Sequence, residues 1–318
     1  MTRTQGSTVS GLGVYRPNRK LTNAAISEFT TASPEWIEER TGILTRHRAS
    51  AEEDIVTMSV EAGANALAAA SVDVTEVDLV ILATATRRQR LPGGGPQIAS
   101  RLGIPDAGAF DVNAVCAGFS YSLALASNAV RLGEARNVLV VGAERTSDFL
   151  NPNAPDSYVI FGDGAGAAVV SGSDTPDIGP VAWGSDGARH GVLEIREHAD
   201  GKEYIAMDGP LVYKWSTTTM PKVARRACEL AGVSLSEVEW FVPHQANRRI
   251  IDTLARVLEF PADRVARDVV DTGNTSSASV PLALSRLCDS GRTRPGDLAL
   301  VLGFGAGLTY AGQVIRIP

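Results

Sequence analysis

One sequence pattern occurs twice along this chain, 161 residues apart. Val72-Asp73-Val74-Thr75-Glu76-Val77-Asp78 overlays Val233-Ser234-Leu235-Ser236-Glu237-Val238-Glu239. Each copy runs into an apolar stretch, Leu79 to Leu82 in the first and Trp240 to Pro243 in the second. At the same offset Val138-Leu139-Val140-Val141-Gly142 matches Ala299-Leu300-Val301-Leu302-Gly303, and Asp111-Val112-Asn113 to Leu123 overlays Thr272-Gly273-Asn274 to Leu284. Single matches of this kind arise between unrelated α/β units, but three in one register point to a duplicated unit. The halves are read as residues 1–172 and 173–318. A pseudo-twofold axis is expected, with functional groups where the halves meet. Met58 to Ala70 is Ala-rich with apolar residues at helical spacing and predicts a buried helix, and Val223 to Leu230 takes the equivalent place. Continuous apolar strands between helices imply sheets covered on both faces. No linker separates the halves, so they are expected to pack as one rigid body.

Three positions carry candidate chemistry. Cys116 stands among small residues in Asp111-Val112-Asn113-Ala114-Val115-Cys116-Ala117-Gly118-Phe119, ahead of a helix-forming run from Ala117 to Leu132. A thiol at a helix N-terminus meets unpaired N–H groups and the positive end of the dipole, which predicts a lowered pKa. The same segment also fits a buried core cysteine. His244, in Val242-Pro243-His244-Gln245-Ala246-Asn247, follows a buried strand, where α/β sheets place ligands, and its repeat counterpart is Ala83. The other histidines, His47, His190 and His198, lie in polar contexts and read as surface loops. Asn274 sits in a Gly/Asn/Ser turn, Asp271 to Ser279, that runs into a helix from about Val280 and fits a polar helix cap as well. The repeat brings Asn274 close to the register of Cys116, so the pseudo-twofold would place both in one pocket. Gly303-Phe304-Gly305-Ala306-Gly307 follows a strand, and its glycines allow backbone N–H groups to approach a ligand or a developing oxyanion.

Composition narrows the classes. The chain has 30 Lys and Arg against 36 Asp and Glu, a net charge of −6, which argues against a general nucleic-acid binder. Cys116, Cys228 and Cys288 are widely spaced, which argues against a zinc ribbon, a redox pair or a disulfide framework, and no metal site is expected. Met1 to Gly6 leads into no apolar segment, and the longest apolar runs are too short to span a bilayer. A cytoplasmic protein engaging neither nucleic acid nor membrane is expected.

Together these segments resemble the thiolase superfamily, and in particular β-ketoacyl-ACP synthase III. The resemblance runs almost end to end. It includes Phe161-Gly162-Asp163-Gly164-Ala165-Gly166-Ala167, Pro34-Glu35-Trp36-Ile37 and Arg40-Thr41-Gly42-Ile43. Its Cys/His/Asn set differs from sibling families with Cys-His-His or a Glu in the site. The Gly162-Asp163-Gly164 run lacks the lysine and glycine context of a nucleotide loop. The resemblance implies an α/β, five-layer αβαβα fold, a homodimer, and a decarboxylative Claisen condensation with no cofactor. The substrates would be an acyl thioester, commonly acyl-CoA, and malonyl on the phosphopantetheine of an acyl carrier protein.

By the same resemblance Cys116 is acylated, His244 and Asn274 hold the malonyl thioester oxygen, and the N–H groups of Cys116 and Ala306 form the oxyanion hole. Trp36 and Arg40 match positions at the nucleotide end of CoA. Met207, Gly209, Asn247, Phe304 and Gly305 match substrate-channel positions. Lys214, Arg249 and Arg256 match a basic patch for the acidic carrier protein, which reconciles a net negative chain with an anionic partner. Leu91 matches a residue that caps the partner subunit's acyl pocket, commonly aromatic, so its smaller side chain implies a longer or branched acyl group. Many members carry an Arg-Gly pair before the Phe161 motif as a CoA clamp. Here the stretch is Asn153-Ala154-Pro155-Asp156-Ser157-Tyr158, without arginine. Arg87-Arg88-Gln89-Arg90 is unusually basic and fits either a phosphate contact or plain surface. The competing activity is a starter-unit acyltransferase on this fold that transfers without condensing.

Overall fold

Two large β-sheets, of five and four strands in matching order, are stacked with helices between and outside them, and the described residues add two two-stranded sheets. The structure is a computed structural model and describes residues 6–318; the start of the chain read above for a signal segment, residues 1–5, lies outside them. The first sheet is ordered Gly6–Tyr15, Asp163–Ser173, Asn137–Arg145, Val77–Ala83, Gly108–Val112. The second is ordered Ala182–Ser185, Thr309–Arg316, Leu298–Gly305, Trp240–Pro243. In both, the two leading junctions are antiparallel and the next is parallel.

The matched segments fold alike. Asp73 and Glu76 form a capping box around the turn Val74–Glu76, and Ser234 and Glu237 form another around Leu235–Glu237. Each box satisfies orphan N–H groups and aims the chain into a buried strand. The helices Gly118–Leu132 and Ser279–Asp289 pack between the sheets, whereas Ile55–Ala70 covers the outer face of the first and Gly209–Ala231 that of the second. The result is the five-layer αβαβα arrangement.

The central core joins Phe119, Leu123 and Val280 of the middle helices to Val140 of one sheet and Val301 of the other. The two outer helices close separate clusters against the outer sheet faces. Among the described residues no helix is long and apolar enough to cross a membrane.

Two local expectations are corrected. The helix read from Val223 begins at Gly209, with Pro210 in its first turn, where the missing N–H costs no intrahelical bond. His47 is not in a surface loop: it lies half-buried in the strand Thr45–Arg48, with Nδ1 2.6 Å from the Pro17 carbonyl.

Candidate active site

The two middle helices begin in matching ways, and their N-terminal turns meet. Each is preceded by a single 3-10 turn, Val115–Ala117 and Ser276–Ala278, at the repeat offset. The first residue of each turn takes a left-handed conformation, Val115 at φ 46° and Ser276 at φ 49°. Such backbone is costly for a branched or substituted residue and persists only where its surroundings enforce it. An asparagine two residues earlier supplies part of that enforcement. Asn113 Oδ1 accepts the Val115 N–H at 3.4 Å, and Asn274 Oδ1 accepts the Ser276 N–H at 2.9 Å. With Oδ1 engaged, the Asn274 amide turns its Nδ2 donors to the cavity that it lines.

Cys116 lies in the first turn, two residues before the helix Gly118–Leu132 and so at the expected helix start, and is buried. The expectation of a lowered pKa is corrected here. Burial pushes the thiol up to about 12; the Glu144 carboxylate adds to this, against a hydrogen bond with the Ser276 hydroxyl and those from the N–H groups of Cys116 and Ala306. Desolvation outweighs the helix terminus because the sulfur is wholly enclosed. The resting group is a thiol.

His244 caps the end of Trp240–Pro243 and packs edge-on against Phe304, with ring centroids 5.3 Å apart. Burial lowers its pKa to about 3, so the imidazole is neutral across the working pH range. Ser279 Oγ lies 2.6 Å from His244 Nδ1 and accepts the Gln245 N–H at 3.3 Å. Nδ1 is the one acceptor paired with the Ser279 hydroxyl among the described residues, so donation to Nδ1 satisfies that proton and assigns the ring proton to Nε2. His244 is thus a neutral N–H donor.

Cys116, His244, Asn274, Phe304 and Gly305 line one cavity of about 80 Å³. Ile160, Met207, Gly209, Tyr213 and Asn247 line both it and an outer cleft of about 390 Å³, whose mouth carries Trp36, Arg40, Asp156 and Arg249. Arg40 stacks over the Trp36 ring at 5.8 Å. Lys214 and Arg256 are exposed and line neither space, and Leu91 stands on the protomer surface with 85 % of its area exposed. The basic loop is already engaged: Arg88 lies 4.5 Å over the Phe149 ring and pairs with Asp148 and Glu203, Arg90 pairs with Glu203, and Arg87 donates to the Pro92 carbonyl.

Gly305 is fixed by the sulfur itself. A Cβ there would sit 2.7 Å from Cys116 Cβ and 2.8 Å from Sγ. Gly305→Ala is expected to lower Cys116 alkylation by iodoacetamide at least about tenfold with the fold retained, a displacement of the size that off-rotamer strain in a packed interior produces; an unchanged rate counts against this packing.

Sequence reasoning missed Glu144, Ser276 and Ser279 as site groups. Glu144 does leave a trace, as a charged residue directly after an apolar strand run. Asp163, in the glycine-rich run, serves the framework: it accepts hydrogen bonds from Ala49 N, Ser147 N and Ser147 Oγ.

Comparison with known proteins identifies the family. Residues 110–187 match the family model described as 3-oxoacyl-(acyl-carrier-protein) synthase III, and residues 228–317 match the model for its C-terminal part. A β-ketoacyl-(acyl-carrier-protein) synthase III of Streptomyces glaucescens is 43% identical over 98% of this chain and 96% of its own. Among solved structures, the priming β-ketosynthase of a polyketide biosynthetic pathway is 44% identical with a TM-score of 0.97, covering 100% of this chain and 98% of that one. The 3-oxoacyl-(acyl-carrier-protein) synthase III of Aquifex aeolicus is 38% identical with a TM-score of 0.93, covering 98% and 100%.

Proposed function

The chain belongs to the 3-oxoacyl-(acyl-carrier-protein) synthase III family and is a condensing acyltransferase that primes fatty-acid or polyketide synthesis, and on that premise we propose how its own residues divide the work. The observation that carries the proposal is the convergence of Cys116, His244 and Asn274 on one buried cavity at the end of a long cleft. An acyl thioester enters past Trp36 and Arg40, and its pantetheine arm lies along Met207, Gly209 and Asn247. Cys116 Sγ attacks the carbonyl, and the N–H groups of Cys116 and Ala306 hold the oxyanion. The donor thiol leaves, and malonyl-ACP docks against Lys214, Arg249 and Arg256.

Decarboxylation then places charge on the malonyl thioester oxygen. His244 Nε2–H and Asn274 Nδ2–H, both neutral, receive that charge as it develops. The carbanion attacks the acyl carbon, a C–C bond forms, the C–S bond to Cys116 breaks, and the sulfur takes up one proton from solvent, the proton that decarboxylative condensation consumes. Neutral donors suit the step because they stabilise an enolate without fixing it as a salt.

The donor is read as acyl-CoA and the assembly as a cytoplasmic homodimer, in which Leu91 caps the partner subunit's acyl pocket. Support for pairing is the edge strand Gly108–Val112, which bonds one neighbour and exposes Phe110. The division at residues 172 and 173 belongs to the same reading.

The test is direct. Purified protein, straight-chain and branched acyl-CoA donors and malonyl-ACP are expected to yield 3-ketoacyl-ACP and carbon dioxide. Formation of acyl-ACP alone assigns the starter-unit transfer activity instead.

A further inference from the structure

Glu144 is a carboxylate with no solvent exposure, and the condensation steps above do not use it. Its two oxygens are in different situations. Oε2 accepts from Thr84 Oγ1 at 3.3 Å, Ala85 N at 3.1 Å, Thr86 N at 3.1 Å and Thr86 Oγ1 at 2.6 Å. Thr86 Oγ1 in turn accepts the Arg145 N–H, which fixes the direction of its own donation toward Glu144. Oε1 receives the Ser276 hydroxyl at 3.0 Å; the neighbouring Ser277 hydroxyl donates to the Ala83 carbonyl at 2.9 Å and also lies in hydrogen-bonding reach of Glu144. Burial raises the Glu144 pKa, and the four donors on Oε2 oppose that shift by favouring the carboxylate. Oε1 is the oxygen that the Ser276 hydroxyl reaches.

Ser276 itself cannot drift. Its N–H is bonded to Asn274 Oδ1, its backbone is left-handed, and its hydroxyl lies in hydrogen-bonding reach of the Cys116 sulfur. The groups around Glu144 are hydroxyls and amides, with Cys116 as the titratable neighbour; Arg145, next in the chain, is paired with Asp148. A buried thiol must lose its proton to react. His244, neutral and donating through Nε2, is a poor acceptor for it.

We propose that Ser276 and Glu144 form a proton relay for Cys116. As sulfur bonds to the thioester carbon, the thiol proton passes to Ser276 Oγ and the Ser276 proton passes to Glu144 Oε1. When the tetrahedral adduct collapses, the bond to the donor sulfur breaks and the proton returns along the same path to the leaving thiolate. Acylation then takes up and releases no net proton. The relay rests on the reading of Cys116 as the acyl carrier, but it makes a statement about the thiol that can be measured without a substrate.

The experiment is the alkylation of Cys116 by iodoacetamide in the full-length protein from pH 6 to 10, followed by peptide mass spectrometry. The relay predicts a wild-type rate nearly independent of pH around neutrality, because the reactive pair is a tautomer of the resting one. Glu144→Gln is expected to lower the rate at pH 7 by about a hundredfold, within the range of general-base contributions. Its rate should then climb about tenfold per pH unit, as for simple thiol ionisation. A carboxylate that acts only through its charge gives the opposite sign, since its removal favours the thiolate and speeds alkylation. Ser276→Ala keeps the carboxylate, breaks the link, and is expected to show a similar drop; it decides the matter alone if Glu144→Gln does not fold by circular dichroism. A faster Glu144→Gln or a wild-type rate in Ser276→Ala overturns the relay. Butyryl-CoA added separately to wild-type protein tests the acyl-carrier reading: absence of the acyl mass shift counts against that reading and leaves the alkylation result standing.

Discussion

A Cys116→Ala protein is expected to take up no acyl group and to lose condensation by about 10⁶, the scale on which removal of a covalent nucleophile acts. The substitution deletes one sulfur from a fully buried position and leaves the donors opposite in place, because His244 is held through Ser279 and Asn274 through the Ser276 N–H. In the proposed mechanism those donors act on malonyl rather than on the acyl group. The variant should therefore still release carbon dioxide from malonyl-ACP, uncoupled from any 3-ketoacyl product. Intact-protein mass spectrometry, product analysis and carbon dioxide release read the three outcomes separately. A variant that forms product at more than a trace rate would falsify the assignment of Cys116.

Asn274→Ala should separate the two half-reactions in the other direction. Cys116 acylation does not require a donor at the malonyl oxygen, so the acyl-enzyme mass shift is expected to appear within about tenfold of the wild-type rate, the leeway left for a turn that loses one hydrogen bond worth about 1 kcal/mol. Condensation requires it, and removal of one oxyanion donor of this type costs about 10² to 10³ in rate. Single-turnover acylation followed by a malonyl-ACP chase measures both in one preparation. Loss of acylation with condensation of pre-acylated protein intact contradicts the role given to Asn274.

Much of the architecture was legible because duplication repeats local instructions. Asp73 with Glu76 and Ser234 with Glu237 fix the same turn twice, and each turn delivers a strand. Cys116, His244 and Asn274 were legible as a set, since each falls at a strand end or helix start where the halves meet. The full helix Gly209–Ala231 was harder to read. Pro221 lies inside it and Thr217-Thr218-Thr219 is a β-branched run, both poor helix signals. Thr217 and Thr218 return their hydroxyls to the Tyr213 and Lys214 carbonyls, and the outer face of the second sheet supplies the packing. The thiol pKa was misjudged for a different reason. A sequence shows a helix terminus but not depth, and depth sets the sign here. Glu144 escaped for the same reason, since one acidic residue at a strand end is ordinary until its environment is known.

The matched turns at Val115 and Ser276 bear on how such a protein can diversify. The reacting groups hang on the buried frame: Gly142 leaves room for the Ser277 carbonyl, which would lie 2.5 Å from a Cβ, and Gly305 leaves room for the sulfur. A Cβ at either position would push on both halves of the centre at once. Leu193, Met207 and Val212 line the cavity from segments outside that frame, and Asp156 stands farther out. Mutations at these positions are expected to alter which acyl group or carrier fits while leaving the buried frame in place. Inheritance of chemistry and innovation in specificity are thereby assigned to different parts of one chain.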